Sequence, residues 1–166
     1  MDFGGAKAEL EDGIILMMAG GTPEHALVAA RLIRRLGNAL EGSGCEPVGS
    51  DMPLRTAERT MRLPDISIYC GPIAPADDPD RIGPVAVIEV LSPSTADHDQ
   101  KVKLNEYRAL SSIREIVFID PVTGAVRVVR RSDEGEWSDR WLRGDEALEF
   151  RSVGVSVTRA DLGLAG

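Results

Sequence analysis

The chain has no apolar run approaching the ~20 residues that a membrane-spanning helix requires. Its opening stretch, MDFGGAKAELEDG, is acidic and glycine-rich, and it lacks the basic segment and apolar core of a secretory leader. A cytoplasmic protein with no membrane partner is the expectation. Cysteine is scarce. Cys45 and Cys70 stand far apart without CxxC spacing, which predicts neither a disulfide framework nor a zinc site. Both read as small buried hydrophobes. Positive charge is short as well, with 19 Lys and Arg against 27 Asp and Glu, a net charge of −8. Binding a polyanion without sequence preference normally draws on a cationic surface, because neutralised phosphates release counterions. The whole-molecule field here points the other way, so a nucleic-acid role needs a local basic patch, a bound metal or a partner subunit. The chain also lacks an internal repeat, a low-complexity tract, a serine nucleophile elbow, an HExxH pair and a Walker A loop.

What is present suffices for a folded core. The 166 residues, 43% hydrophobic and 28% charged, suit one globular domain spanning 1–166. Lys7–Glu11 and Gly13–Met18 predict a hairpin around Glu11-Asp12-Gly13. Thr22-Pro23 reads as a capped helix start. His25, Ala29, Leu32, Ile33, Leu36 and Leu40 follow at helical spacing until Gly42 and Gly44. Glu46–Thr56 reads as extended, Leu63–Cys70 as a strand and Gly71–Gly83 as a proline- and aspartate-rich loop. Val85–Leu91 is the most buried-looking strand. A turn at Ser92–Thr95 leads to a helix over about Asp97–Leu110. Strands follow at Ile113–Asp120, Val126–Arg131, Glu136–Leu142, Leu148–Phe150 and Val153–Val157. The order predicts a mixed α/β (α+β) sheet flanked by helices.

Three polar positions interrupt this apolar pattern. Period-2 alternation puts Val85, Val87, Glu89 and Leu91 on one strand face. An unpaired buried carboxylate is costly, so Glu89 should be ion-paired, metal-bound or protonated, unless its strand end reaches solvent. Asp65, directly after Pro64, opens an apolar strand; it is either a turn residue or a functional acid. Asp99, Lys103 and Tyr107, spaced i, i+4, i+8, share a helix face with Leu104 and Leu110. Lys103 therefore lies along the apolar stripe, either as a snorkelling partner of Asp99 or as a reagent. Two carboxylates at neighbouring strand ends with a nearby lysine suit metal-assisted phosphodiester hydrolysis.

The stretches "PDISIY", "VIEVLSPST", the D-x-x-x-K-x-x-x-Y of Asp99, Lys103 and Tyr107, and "IREIVFIDP" resemble the bacterial family of "putative restriction endonucleases", a branch of the PD-(D/E)XK nuclease superfamily. The resemblance runs over most of the chain and is strongest from Pro64 to Pro121. It implies a restriction-endonuclease-like αβββαβ core and a hydrolase cutting DNA with Mg²⁺ or Mn²⁺, commonly as a homodimer. By the same resemblance Asp65 and Glu89 match the two metal-binding acids. The superfamily's usual lysine position is occupied by Leu91, a departure, and Lys103 on the next helix is the candidate replacement. His25 matches a family histidine; it or Glu24 would orient a metal-bound water, the alternative being a hydrogen-bonded core histidine. Tyr107 either orients Lys103 or fills the core, and His98 is expected to face solvent. Arg31, Arg34 and Arg35, and Arg127, Arg130 and Arg131, form two basic runs, readable as phosphate contacts or as solvated surface. The competing functional reading is a catalytically inactive scaffold on the nuclease fold.

Overall fold

The structure is a computed structural model that describes residues 7–18, 20–75, 78, 82–92 and 99–164, with the backbone alone at Asp99. Pro93–Thr95 of the expected turn, and His98, lie outside the described residues.

The first strands, β1 (Ala8–Glu11) and β2 (Ile14–Met17), form the expected hairpin. Asp12 and Gly13 close it with φ of 47° and 84°, the left-handed conformations that a two-residue turn between right-twisted strands demands. Helix α1 (Pro23–Leu40) begins where Thr22 accepts a hydrogen bond from the His25 N–H. It buries Val28, Leu32, Leu36 and Leu40, one stripe at helical spacing.

The extended stretch expected over Glu46–Thr56 is two strands in two different sheets: β3 (Cys45–Gly49) and β4 (Leu54–Ala57). The chain turns between them at 50–52. A further strand, β5 (Thr60–Arg62), is too short to carry a readable period. It completes a four-stranded antiparallel sheet of order β2-β1-β5-β4.

The larger sheet has six strands. Besides β3 they are β6 (Ile66–Cys70), β7 (Ala86–Val90), β8 (Glu115–Ile119), β9 (Val126–Arg131) and β10 (Trp137–Trp141), in the order β10-β9-β8-β7-β6-β3. Within it β7 and β8 are parallel and the other pairs antiparallel, so the sheet is mixed. A parallel pair requires a crossover, supplied by α2 (Leu104–Ala109), whose preceding turn, Asp99–Lys103, is wound as a π-helix. Strands β11 (Leu148–Phe150) and β12 (Val155–Val157) pair separately, and a one-turn helix α3 (Arg159–Leu162) follows.

The large sheet separates two apolar layers. On one face Ile66, Ile68, Ala86, Ile88, Val90, Val117 and Ile119 pack with the stripe of α1. On the other, Val87, Leu91, Ile116, Phe118 and Val129 pack with Leu104 and Tyr107 of α2. Glu89 belongs by alternation to the second face, beneath α2. Among the described residues no helix is long and apolar enough to cross a membrane.

The cysteine reading is corrected. Cys45 and Cys70 are half-buried and joined by a disulfide. Their separation of 25 positions concealed this, because the antiparallel register of β3 and β6 puts them directly opposite one another. The basic runs also have partners in the fold. Arg31 donates to the Leu162 carbonyl and Arg35 pairs with Asp161, tying α1 to α3. Arg127 makes a two-pronged bond to Asp139 on β10, and Arg130 pairs with Glu115.

Candidate active site

The C-terminal end of β7 is where the polar groups collect. Antiparallel pairing of β6 and β7 matches Ile66 with Ile88 and Ser67 with Val87. Extended by one step, this register sets Asp65 opposite Glu89. Cross-strand neighbours have Cβ atoms about 4.5–5.5 Å apart. Pro64 explains why Asp65 stands just outside the strand: proline supplies no N–H to a ladder. Asp65 instead takes over the ladder's role with its side chain, its Oδ2 accepting the Val90 N–H at 2.8 Å. Its other oxygen meets His25 Nε2 at 3.2 Å. The first turn of α1 therefore aims His25, and not the exposed Glu24, at this acid. Gly21 makes room for the ring: a Cβ there would lie 2.6 Å from His25 Nδ1.

Glu89 is 3% exposed and Lys103 is 3% exposed, while Tyr107 is fully buried. Lys103 Nζ donates to Glu89 Oε1 at 3.3 Å, and the Tyr107 hydroxyl donates to the same oxygen at 2.5 Å. Burial, followed by the field and hydrogen bond of Glu89, pushes the Tyr107 phenol well above its ordinary pKa. It remains a donor at neutral pH. The sequence left Glu89 ion-paired, metal-bound, protonated or at a strand end reaching solvent; the structure shows it buried and ion-paired to Lys103.

Sequence reasoning missed the other half of this cluster. Lys103 Nζ also meets Glu9 Oε1 of β1 at 3.0 Å. Glu9 in turn accepts the Leu63 N–H at 3.0 Å and Arg62 Nη1 at 3.2 Å. Arg62 is 0% exposed. Its guanidinium grips Glu106 of α2 with two prongs, 2.5 and 2.7 Å, and reaches Glu11 at 2.7 Å. Burial disfavours the charge, but the bonds to Glu106 and Glu11 and the fields of Glu106 and Glu9 outweigh it, so the guanidinium pKa is raised. The visible signal was Glu9 and Glu11 at i, i+2 around Leu10, two acids on one face of a short strand. Arg62 had no local signal, since its partners lie about fifty positions away on either side.

Glu9, Glu11, Glu89 and Glu106 thus gather around two cations, Lys103 and Arg62, and Asp65 stands beside this cluster with His25 as its partner. Among the described residues no group of three or more His, Cys, Asp or Glu is arranged to hold a metal. The two carboxylates whose placement would let them hold a metal are Asp65 and Glu89. That set fits a hydrated Mg²⁺, which commonly takes one or two protein carboxylates and keeps several waters. The side chains of Asp65 and His25 are 14% and 20% exposed, so solvent reaches the site from their side.

The six-stranded mixed sheet with its crossover helix and N-terminal hairpin defines a protein of the mixed α/β class. The fold matches the crystal structure of "a putative nuclease belonging to DUF820" from Anabaena variabilis, with a TM-score of 0.75 at 17% identity, covering 93% of this chain and 88% of that one. The chain belongs to the Uma2 family, described as "Putative restriction endonuclease", whose profile matches residues 2–159. Two uncharacterised proteins of Synechocystis sp. are each 28% identical to it. One alignment covers 90% of this chain and 80% of the relative, the other 87% and 84%.

Proposed function

We propose that this protein is a Mg²⁺- or Mn²⁺-dependent endonuclease that hydrolyses phosphodiester bonds in DNA. The observation that carries the reading is the register of β6 on β7, which sets Asp65 beside Glu89 with Lys103 bonded to the second acid. In this reading Asp65 and Glu89 hold the metal, which when bound supplies an activated water and polarises the phosphoryl oxygen. His25 holds Asp65 from one side. Tyr107 holds Glu89 from α2, fixing the carboxylate. Lys103 brings a positive charge to the place where negative charge develops on the attacked phosphate. Glu9 shares that lysine and sets its height above the sheet, so we add Glu9 as a positioning residue.

The test is a metal-dependent cleavage screen on duplex, single-stranded and branched DNA. Wild type should cut with Mg²⁺ or Mn²⁺ and stop with EDTA. Asp65→Ala and Glu89→Ala should lose cleavage by a factor of ~100 or more while keeping a wild-type circular dichroism spectrum. A wild type that cuts none of these substrates under any divalent ion defeats the reading.

One observation favours the competing reading, a catalytically silent scaffold. Leu91, at the position where the superfamily usually carries its lysine, is 5% exposed and packed in the core beneath α2. That reading requires Glu89→Gln to leave every cellular phenotype of the protein intact.

We further propose that the protein acts as a homodimer. Ile14, Ile15, Leu16 and Met17 of β2 are 66, 43, 38 and 57% exposed on an edge strand with no charge, proline or bulge to guard it.

A further inference from the structure

At the far end of the large sheet lies a cationic pocket. Four arginines converge where β7 and β8 begin and β9 ends: Arg114, Arg130, Arg131 and Arg151 line a pocket of about 380 Å³ together with Glu115 and Asp133. Four guanidinium groups against two carboxylates leave a net charge of +2 on this lining, in a chain whose net charge is −8. The pocket is separate from the paired acids. Val85, which also lines it, is four residues before Glu89, about 13 Å along an extended strand. Glu115 alternates with Val117 and Ile119 onto the α1 face of the sheet, opposite the face that carries Glu89.

Two of the four guanidinium groups, those of Arg130 and Arg131, are held in place. Glu115 is 2% exposed and accepts from Arg130 Nε at 2.8 Å, from the Arg151 and Ser152 N–H groups at 2.9 Å each, and from the Ser152 hydroxyl. Arg130 also donates to the Glu149 carbonyl. Arg131 donates to the Ser111 carbonyl at 3.4 Å and lies over the Trp137 ring at 5.7 Å. Arg151 pairs only loosely with Glu149, at 3.4 Å on the exposed surface. Arg114 is exposed at the rim. Glu115 therefore serves as an internal anchor. The four arginines line one opening, where like charges stand together at a cost that a bound anion removes.

We propose that this pocket is a second, metal-independent binding site for a phosphate group. A carboxylate can engage one or two guanidinium forks, whereas a tetrahedral phosphate offers oxygens to several. The volume admits a phosphate with a modest organic substituent. The ligand is either a free phosphate compound or a terminal phosphate of a nucleic acid. The proposal stands independently of the nuclease reading, because its measurement is made without metal.

Inorganic phosphate is titrated into the protein in EDTA, at constant ionic strength set with chloride, and binding is read by calorimetry and ³¹P line broadening. Wild type and Glu89→Ala should bind alike and saturably. Arg114→Ala/Arg151→Ala, which leaves the Arg130–Glu115 anchor in place, should bind about tenfold or more weakly. Asp133→Ser, on an exposed turn, should bind more tightly by a few-fold, and it tests the pocket separately if the double variant misfolds. A 5′-phosphorylated dinucleotide is compared with its 5′-hydroxyl counterpart. Preference for the phosphorylated form assigns the site to nucleic-acid ends; equal, weak binding of both beside tight inorganic phosphate assigns it to free phosphate. Absence of saturable binding by wild type overturns the proposal, as does unchanged affinity in both the double variant and Asp133→Ser.

Discussion

Glu89 is a carboxylate in the middle of an apolar strand because two donors from the following helix reach it there. A buried carboxylate is tolerated when its oxygens are paired and hydrogen-bonded. Lys103 and Tyr107, one helical turn apart, both reach Glu89 Oε1. Tyr107→Phe removes a hydrogen bond to a charged group without opening a cavity. It should cost about 1.5–3 kcal/mol in urea unfolding at pH 7. The pH dependence has a defined sign. The folded-state pKa of Tyr107 lies well above the unfolded value of 10.0, so the folded chain keeps a proton that the unfolded chain releases. The difference between wild type and variant should be constant below about pH 10 and shrink as pH rises beyond it.

At the scale of elements, Arg62 is a clamp. From β5 it holds Glu9 and Glu11 of β1 and Glu106 of α2, joining the small sheet to the crossover helix. Thr56 of β4 donates to Glu106 as well, at 2.9 Å. Removing the cation takes the Arg62 counter-charge from the partly buried Glu106 and Glu11 and leaves Lys103 as the counter-charge of the buried Glu9, which is costlier than replacing the whole ion cluster by apolar residues. Arg62→Met should therefore lose about 3–5 kcal/mol of unfolding free energy. The hairpin should loosen first, seen as faster amide exchange at 8–17 than in β7 and β8. This clamp also sets Lys103, since Glu9 is held by Arg62 on one oxygen and meets Lys103 with the other. The elements were legible where they were long and periodic: α1 by its stripe and its threonine cap, β7 and β8 by their continuous apolar runs. β3, β4 and β5 were not separated, because none of them carries a continuous apolar run and β3 is interrupted by a proline.

For the whole molecule, the net charge of −8 is unevenly distributed. Arg31, Arg35, Arg127 and Arg130 are engaged with partners inside the fold. The proposed homodimer therefore rests on the apolar β2 edge rather than on these arginines. A two-fold antiparallel pairing of β2 with a second copy would match Ile14 with Met17 and Ile15 with Leu16, with no like charges opposed. Ile15→Lys should shift a dimer to monomer in sedimentation velocity and leave the circular dichroism spectrum unchanged. Screening the mutual repulsion of two acidic copies with salt should strengthen the wild-type dimer. An unchanged sedimentation coefficient in Ile15→Lys would reject β2 as the contact.

The sequence by itself determined the mixed α/β class, the capped first helix, the central strands, and the oddity of Glu89 and Asp65. Each of these rests on local periodicity or on one residue out of keeping with its neighbours. Only the tertiary structure decided which groups meet. The β6–β7 register brings Asp65 to Glu89, and the crossover between parallel strands carries Lys103 over the same acid. The turn after Gly49 sends one extended stretch into two sheets, and that is what brings Arg62 between β1 and α2. The β3–β6 register joins Cys45 to Cys70, and the meeting of three strand ends gathers the arginine pocket. These pairings depend on register and chain crossing, so the bonded partners at the site lie 14 positions apart or more, and no short window along the chain contains both members of most of them.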